Sequence, residues 1–346
     1  MKICIFGAGA VGSHLAAGLA RAGCAVSMVA RGAHLQAVRE RGLRFISPDD
    51  DYTVQLQATD RPQELGPQDL VVTTLKAQSL PGVADGIAAL LGPDTPIVYA
   101  ANGVPWWFFH GMGGAHDGHR LDRLDPGGRL WDGLGVERAI GCVIRSPNEV
   151  VEPGVVRCFS ASSRFILGEP GAADSPRLQR AVQALGQGVK QVEASANIRL
   201  ELWDKLVLNQ ASSPIACLAH ATTTDIGANP ALAELFCALV DEGRAVGASL
   251  GLNVSLDPHK EIARFGKLAH KASMLQDLLA GRAMELDAQL VAVQDLARLQ
   301  GVPTPRLDMV LGLLVTRARA LGLYPAQAPA GRAAAGDAAA RAGAAA

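Results

Sequence analysis

Two sets of side chains in this 346-residue sequence could do chemistry. The first is Gly7, Ala8, Gly9, Ala10, Val11 and Gly12, a GxGxxG spacing that follows a short apolar run and opens a helical pattern. In that context the three glycines serve in turn to make a tight turn, to leave the backbone open to a pyrophosphate, and to let helix and strand pack closely. The helix start adds free N–H groups and a partial positive charge, so a dinucleotide is the expected ligand. About 20 residues on, where an NAD site offers a carboxylate to the ribose, stands Arg31. A guanidinium there would pair with a 2′-phosphate, which predicts NADPH or NADP. A solvated strand end is the plainer reading of Arg31.

The second set is Lys205 and Asn209, four residues apart and so on one helical face. An ammonium can give up a proton and also hydrogen-bond an oxygen that is becoming negative. Lys205 is equally placed for an i,i+4 pair with Glu201. The chain has seven lysines against 25 arginines, yet Lys76 and Lys205 stay lysine. That choice suits acid chemistry, because an ammonium can lose its proton near neutral pH and a guanidinium hardly can. Lys76 ends one apolar run, and Asn102-Gly103 ends the next. Both would stand at the carboxyl edge of a sheet, where ligands bind in such folds, although Asn-Gly is also an ordinary turn.

The elements that must hold these groups alternate through the first 100 residues. Apolar runs at 2–6, 24–30, 69–75 and 95–101 read as buried parallel strands, and 14–21 and 79–91 read as helices. This predicts a doubly wound α/β domain of the Rossmann type over residues 1–195. Residues 111–135 are rich in Gly, Asp, His and Arg and read as a long irregular insertion. Strand-like pieces follow at 139–151, 154–159 and 164–168, with a turn at Glu152-Pro153-Gly154, then a helix near 177–185 and a strand near 189–193. Helical periodicity takes over at 199–211, 230–250, 258–265, 273–300 and 306–321, giving an all-helical domain over 196–323. Residues 324–346, rich in Ala and Gly, are expected to be a disordered tail.

Composition removes several classes of function. Lys plus Arg is 32 and Asp plus Glu is 33, which gives no excess of cations for a nucleic acid or an anionic membrane. No run of about 18 apolar residues predicts a membrane span. Six scattered cysteines, without CxxC, read as small apolar fillers in a reducing compartment, so the expected location is the cytoplasm. His110, His116, Asp117 and His119 have no metal-ligand spacing and read as loop residues, so no metal is expected. The run Pro105-Trp106-Trp107-Phe108-Phe109 fits a lid, core packing or a subunit interface, and a homodimer stays open.

Taken in order, Gly7, Gly9, Gly12 and Arg31, then Thr74-Leu75-Lys76, Asn102-Gly103, Leu202-Trp203-Asp204-Lys205 with Asn209, and Ser273-Met274-Leu275-Gln276-Asp277 with Glu285 resemble the ketopantoate reductases across residues 1 to 320. The resemblance implies an N-terminal Rossmann domain for NADPH, a helical domain closing over it, and a substrate cleft between. It implies hydride delivery to the C2 ketone of 2-dehydropantoate, yielding pantoate. It makes Lys205 the general acid, places Lys76 and Asn102 at the nicotinamide end and substrate, and puts Asn209 and position 213 on the substrate side. Ser273 would bond the substrate carboxylate and Glu285 would orient and charge Lys205. Read without it, Ser273 could open a capping box with Gln276, and Glu285 could pair with Arg282. The chain departs from the family pattern at Ser213, before Pro214, at His270, and at Leu290-Val291, where the family has asparagines or Asn-Gly. Those are substrate-side positions, so a different acid with the same hydride chemistry is one alternative, as in a related 2-oxoacid or β-hydroxyacid dehydrogenase. The latter would show its own glycine-rich substrate motif, which is not evident. A non-catalytic NADPH-binding protein would leave the acid position vacant, whereas Lys205, Asn209 and Glu285 are all present.

Overall fold

The computed structural model describes residues 1–265, 269 and 271–325, so His270 and the expected tail beyond Pro325 lie outside the described residues. The chain enters through β1 (Lys2–Phe6), α1 (Ala10–Arg21), β2 (Ala25–Val29) and α2 (Gly32–Arg41), then three short strands, β3 (Leu43–Ile46), β4 (Asp51–Val54) and β5 (Gln57–Thr59). Next come β6 (Leu70–Thr73), α3 (Ala84–Ala88), β7 (Ile97–Ala100) and β8 (Ala139–Arg145). The N-terminal domain closes with β9 (Asn148–Glu152), β10 (Val155–Cys158), β11 (Arg164–Gly168), α4 (Pro176–Gly186) and β12 (Gln191–Ala194).

Eight strands form one sheet in the order β12-β11-β8-β7-β6-β1-β2-β5. Six run parallel, from β5 to β8, and β11 pairs antiparallel with β8. Strands β1, β6 and β7 are almost wholly buried, as a sheet covered on both faces requires. A second sheet, β4-β3-β10-β9, lies against α1, which is therefore buried continuously from Gly12 to Leu19. Gly18 makes that packing close: a Cβ there would fall 1.9 Å from the Gly188 carbonyl oxygen.

From Ile198 the described residues carry helices alone: α5 (Ile198–Ala219), α6 (Thr223–Ala228), α7 (Pro230–Ser249), α8 (Pro258–Phe265), α9 (Ser273–Leu279), α10 (Ala292–Leu299) and α11 (Pro305–Ala320). Among the described residues no helix is long and apolar enough to cross a membrane. Helix α5 starts at Asn197, whose side-chain oxygen accepts the Leu200 N–H at 3.1 Å. It runs through Pro214 rather than stopping near 211, because Ser213, Pro214 and Ile215 are buried against neighbouring helices and that packing outweighs the lost backbone bond. Its crossing with α7 is tight: Trp203 Nε1 donates to the Gly243 carbonyl at 3.0 Å, and a Cβ on Gly247 would sit 2.3 Å from the same ring nitrogen.

Several expected elements change on folding. The helix at 79–91 shrinks to α3 behind two 3₁₀ turns, the second of which opens at Pro81. The piece at 139–151 splits into β8 and β9, which join different sheets. The helix at 273–300 breaks after α9, where Gly281 has φ +62, and resumes through a π turn at Asp287–Val291. Trp106, Trp107, Phe108 and Phe109 are each at most 3% exposed, so the aromatic run is core and no lid. That core extends from the sheet into the helical domain, where Phe108 meets Trp203 with ring centroids 5.9 Å apart.

Candidate active site

The carboxyl edge of the large sheet collects the groups singled out by spacing. Gly7 follows β1, Thr74 to Lys76 follow β6 and Asn102 follows β7; Arg145, which spacing did not mark, ends β8 at the same edge. In the glycine turn, Gly7 has φ +112 and its carbonyl accepts from Thr74 Oγ1 at 2.6 Å. A Cβ on Gly12 would lie 2.0 Å from the Gly7 carbonyl oxygen, so only glycine lets α1 approach. Around Gly9 there is open space, and the first turn of α1 has neither a side-chain cap nor an acidic residue. Among the described residues the N–H groups of residues 8–12 have no partner, a cradle suited to an anion such as a pyrophosphate. Arg31, at the start of α2, is exposed and forms no ion pair among the described residues.

Lys205 reaches across from α5 to this edge. Its ammonium donates to Asn102 Oδ1 at 2.7 Å and to the Ile144 carbonyl, not to Glu201. Burial and the nearby Arg145 guanidinium bring its pKa down to about 8, while Cys142 and Glu285 act in the opposite direction. Arg145 Nη2 in turn donates to Asp204 Oδ2 at 2.8 Å. Cys142, beneath the ammonium on β8, is driven up to about 12 by burial and stays a neutral thiol.

Glu285 is 7% exposed and forms no ion pair with Lys205 among the described residues, which differs from the direct bond expected. Burial raises its pKa and Asp277 adds to this; the Lys76 charge, Asn102 and the Ala77 N–H lower it. Asn102 therefore stands between the ammonium and the carboxyl group. Arg282, the alternative partner of Glu285, pairs with Asp277 instead, Nε to Oδ1 at 2.9 Å. Asp277 also takes Lys76, whose Nζ donates at 2.6 Å and to the Ala283 carbonyl at 2.7 Å. Lys76 is thus a tie between the two domains.

Asn209 follows Lys205 by one turn and is partly buried; Ser213, a turn further, is 2% exposed. Neither side chain has a hydrogen bond among the described residues. Ser273 is exposed at the first turn of α9, and Ala272, not Ser273, occupies the cap position, so no capping box forms. Leu290 and Val291 are core residues of the π turn. The Asn102-Gly103 turn does form: Gly103 has φ +89, and a Cβ there would lie 2.5 Å from the Ala288 carbonyl oxygen. Spacing did not single out Arg145, Asp277 or the Ile144 carbonyl, whose partners come from distant parts of the chain.

Beside Asn102 lies a cavity of about 20 Å³, lined by Tyr99, Trp106, Trp107, Leu124 and Leu202 among others. That is room for about one water. A larger cavity of about 360 Å³, between His14, Phe45, Tyr52, Cys158, Ser163 and Val189, shares no lining residue with this site. Of the residues singled out by spacing, Asn102 lines the small cavity and none lines the larger one.

A glycine cradle on a parallel sheet, faced by an ammonium from a helical domain, defines a two-domain dinucleotide-dependent oxidoreductase. The sequence pattern of the family described as Ketopantoate reductase PanE/ApbA matches residues 3–105, and that of its C-terminal region matches residues 197–318. The chain is 43% identical to 2-dehydropantoate 2-reductase of Mesorhizobium japonicum, over 94% of this chain and all of that one. A solved structure from Ralstonia solanacearum MolK2, provisionally assigned as a ketopantoate reductase, superposes with a TM-score of 0.87 at 39% identity, covering 93% of this chain and 99% of that one. D-mandelate dehydrogenase, solved with NADH and anilino(oxo)acetate, shares the fold at 22% identity and a TM-score of 0.77, covering 93% of this chain and all of that one. The chain belongs to the ketopantoate reductase family, a family of NAD(P)-dependent oxidoreductases.

Proposed function

We propose that this protein reduces the C2 ketone of a 2-oxo acid, 2-dehydropantoate to pantoate, with NADPH as hydride donor and Lys205 as proton donor. The observation that carries the reading is the Lys205 ammonium, held by Asn102 at the sheet edge where the glycine cradle opens. Gly7, Ala8, Gly9, Ala10, Val11 and Gly12 would hold the pyrophosphate, Arg31 the 2′-phosphate, and Lys76 and Asn102 the nicotinamide end. Bound there, NADPH would supply the hydride. The ketone oxygen then gains negative charge, and Lys205 is placed to stabilise it and to transfer a proton from Nζ. Asn102 holds the ammonium in place, and Glu285 acts on it through Asn102 by opposing the fall in its pKa. Asn209, Ser213 and Ser273 are the substrate-side groups in this reading, with Ser213 giving a shorter side chain than the family asparagine.

The test follows NADPH absorbance with a panel of 2-oxo acids that includes 2-dehydropantoate, for the native protein and Lys205→Ala. A loss of roughly 10²- to 10⁴-fold in turnover is expected, the usual size of a general acid's contribution, with NADPH affinity kept. Equal turnover in both proteins removes Lys205 from the mechanism. A preference for NADH removes the role given to Arg31.

A further inference from the structure

Two neighbouring residues of β8 grip two neighbouring residues of α5. The Ile144 carbonyl accepts from Lys205, and the Arg145 guanidinium donates to Asp204. The two bonds lie side by side across the domain boundary, and the second places a fixed cation beside the ammonium. Arg145 is half-buried, as is Asp204, with side-chain exposures of 35% and 36%. A pair so exposed contributes little to stability, which leaves its location as its main physical consequence.

We propose that Arg145 is a positioning residue for Lys205, held by Asp204 so that its charge stays beside the proton donor. This rests on the assignment of Lys205 as that donor. The groups acting on the ammonium's charge are Arg145 and Cys142 from β8 and Glu285 from the segment before the π turn. Cys142 stays a neutral thiol and Glu285 acts in the opposite direction. Arg145 is therefore the one cation among these three neighbours, and it favours release of the proton. A lysine buried without that cation would keep its proton more tightly, making transfer to the alkoxide less favourable and return of the proton in the reverse reaction easier.

The measurement is the pH profile of kcat/KM for 2-oxo acid reduction by the native protein, Arg145→Gln, Arg145→Lys and Lys205→Ala. Removing the cation should move the basic limb, which marks loss of the Lys205 proton, upward by about 0.5 to 1 pH unit. Arg145→Lys keeps a positive charge and should leave the limb in place, with NADPH affinity unchanged in both. If Arg145→Gln does not fold, Arg145→Met retains the apolar stem and should show the same shift. A limb that stays fixed in the neutral variants while Lys205→Ala is inactive overturns the role of Arg145 alone. A fixed limb with a raised KM for the acid would make Arg145 a partner of the substrate carboxylate instead, which also overturns it. An active Lys205→Ala removes the reading of Lys205 on which the inference stands.

Discussion

At the scale of single residues, the Lys205 ammonium at about 8 sets a pH window. In the proposed mechanism reduction needs the protonated form, so kcat/KM should be level below about pH 8 and fall above it, while oxidation of the 2-hydroxy acid should rise through the same range. Because the folded-state pKa is depressed, the charged lysine costs stability below about 8, and that cost is relieved as pH rises towards the ordinary lysine value of 10.5. A profile with no basic limb between pH 7 and 10 would contradict this placement. Arg31→Ala should weaken NADPH binding about 10- to 100-fold, the loss of one bidentate phosphate pair, and barely alter NADH binding, read by fluorescence titration. Lys205 and Asn102 were legible because each sits in a motif with its own spacing. Arg145 and the tie from Asp277 to Lys76 were not, since those partners lie 59 and 201 residues away and only folding brings them together.

At the scale of elements, α1 carries both the cradle and much of the domain's packing. Gly12→Ala forces a methyl group into the Gly7 carbonyl, so we expect roughly 1–3 kcal/mol of lost stability and a loosened dinucleotide, checked by denaturant unfolding and titration with NADPH. Unchanged binding would show that the turn tolerates a side chain. His14, on the same helix, stacks on Phe45 with centroids 4.7 Å apart, and burial brings its pKa down to about 4. The unfolded chain takes up a proton near 6.5 that the folded one refuses until about 4. Stability should therefore be full above about pH 6.5 and decline as pH falls towards 4; in His14→Gln the decline should be smaller. The parallel strands β1, β6 and β7 were readable as continuous apolar runs. The short strands β3, β4 and β5 were not, because β4 alternates exposed and half-buried residues and offers no such run. Helix α2 has exposed residues on most of its surface, so its apolar period is faint.

At the scale of the whole molecule, the two domains are fastened by bonds at their facing surfaces. Besides the Lys205 and Arg145 contacts, Lys76 joins Asp277, and the Val104 N–H donates to the Ala288 carbonyl at 2.8 Å. Asp277→Asn should lower the melting temperature by a few degrees, as breaking a half-buried pair does, and increase the radius of gyration in X-ray scattering. An unchanged radius with full activity would show that this tie does not hold the halves together. Arg199 anchors the first turn of α5 by donating to the carbonyls of Phe108, Pro170 and His110, which ties the helix bearing Lys205 to the buried aromatic run. The order of motifs along the chain foreshadowed two facing domains, whereas the closeness of their fit depends on glycines whose role appears only once a neighbouring backbone is beside them.

Helix α1 lies between two sheets, with protein around most of its length. Dissolved ions reach the exposed Arg31 freely, whereas most of that helix is enclosed, so in the proposed reading ionic strength should weigh more on the 2′-phosphate contact than on the pyrophosphate contact. Raising sodium chloride from about 0.05 to 0.5 M should erode the advantage of NADPH over NADH while the affinity for NADH changes much less. The enzyme's discrimination between its cofactors would then depend on the salinity around it, although its ability to bind a dinucleotide would not.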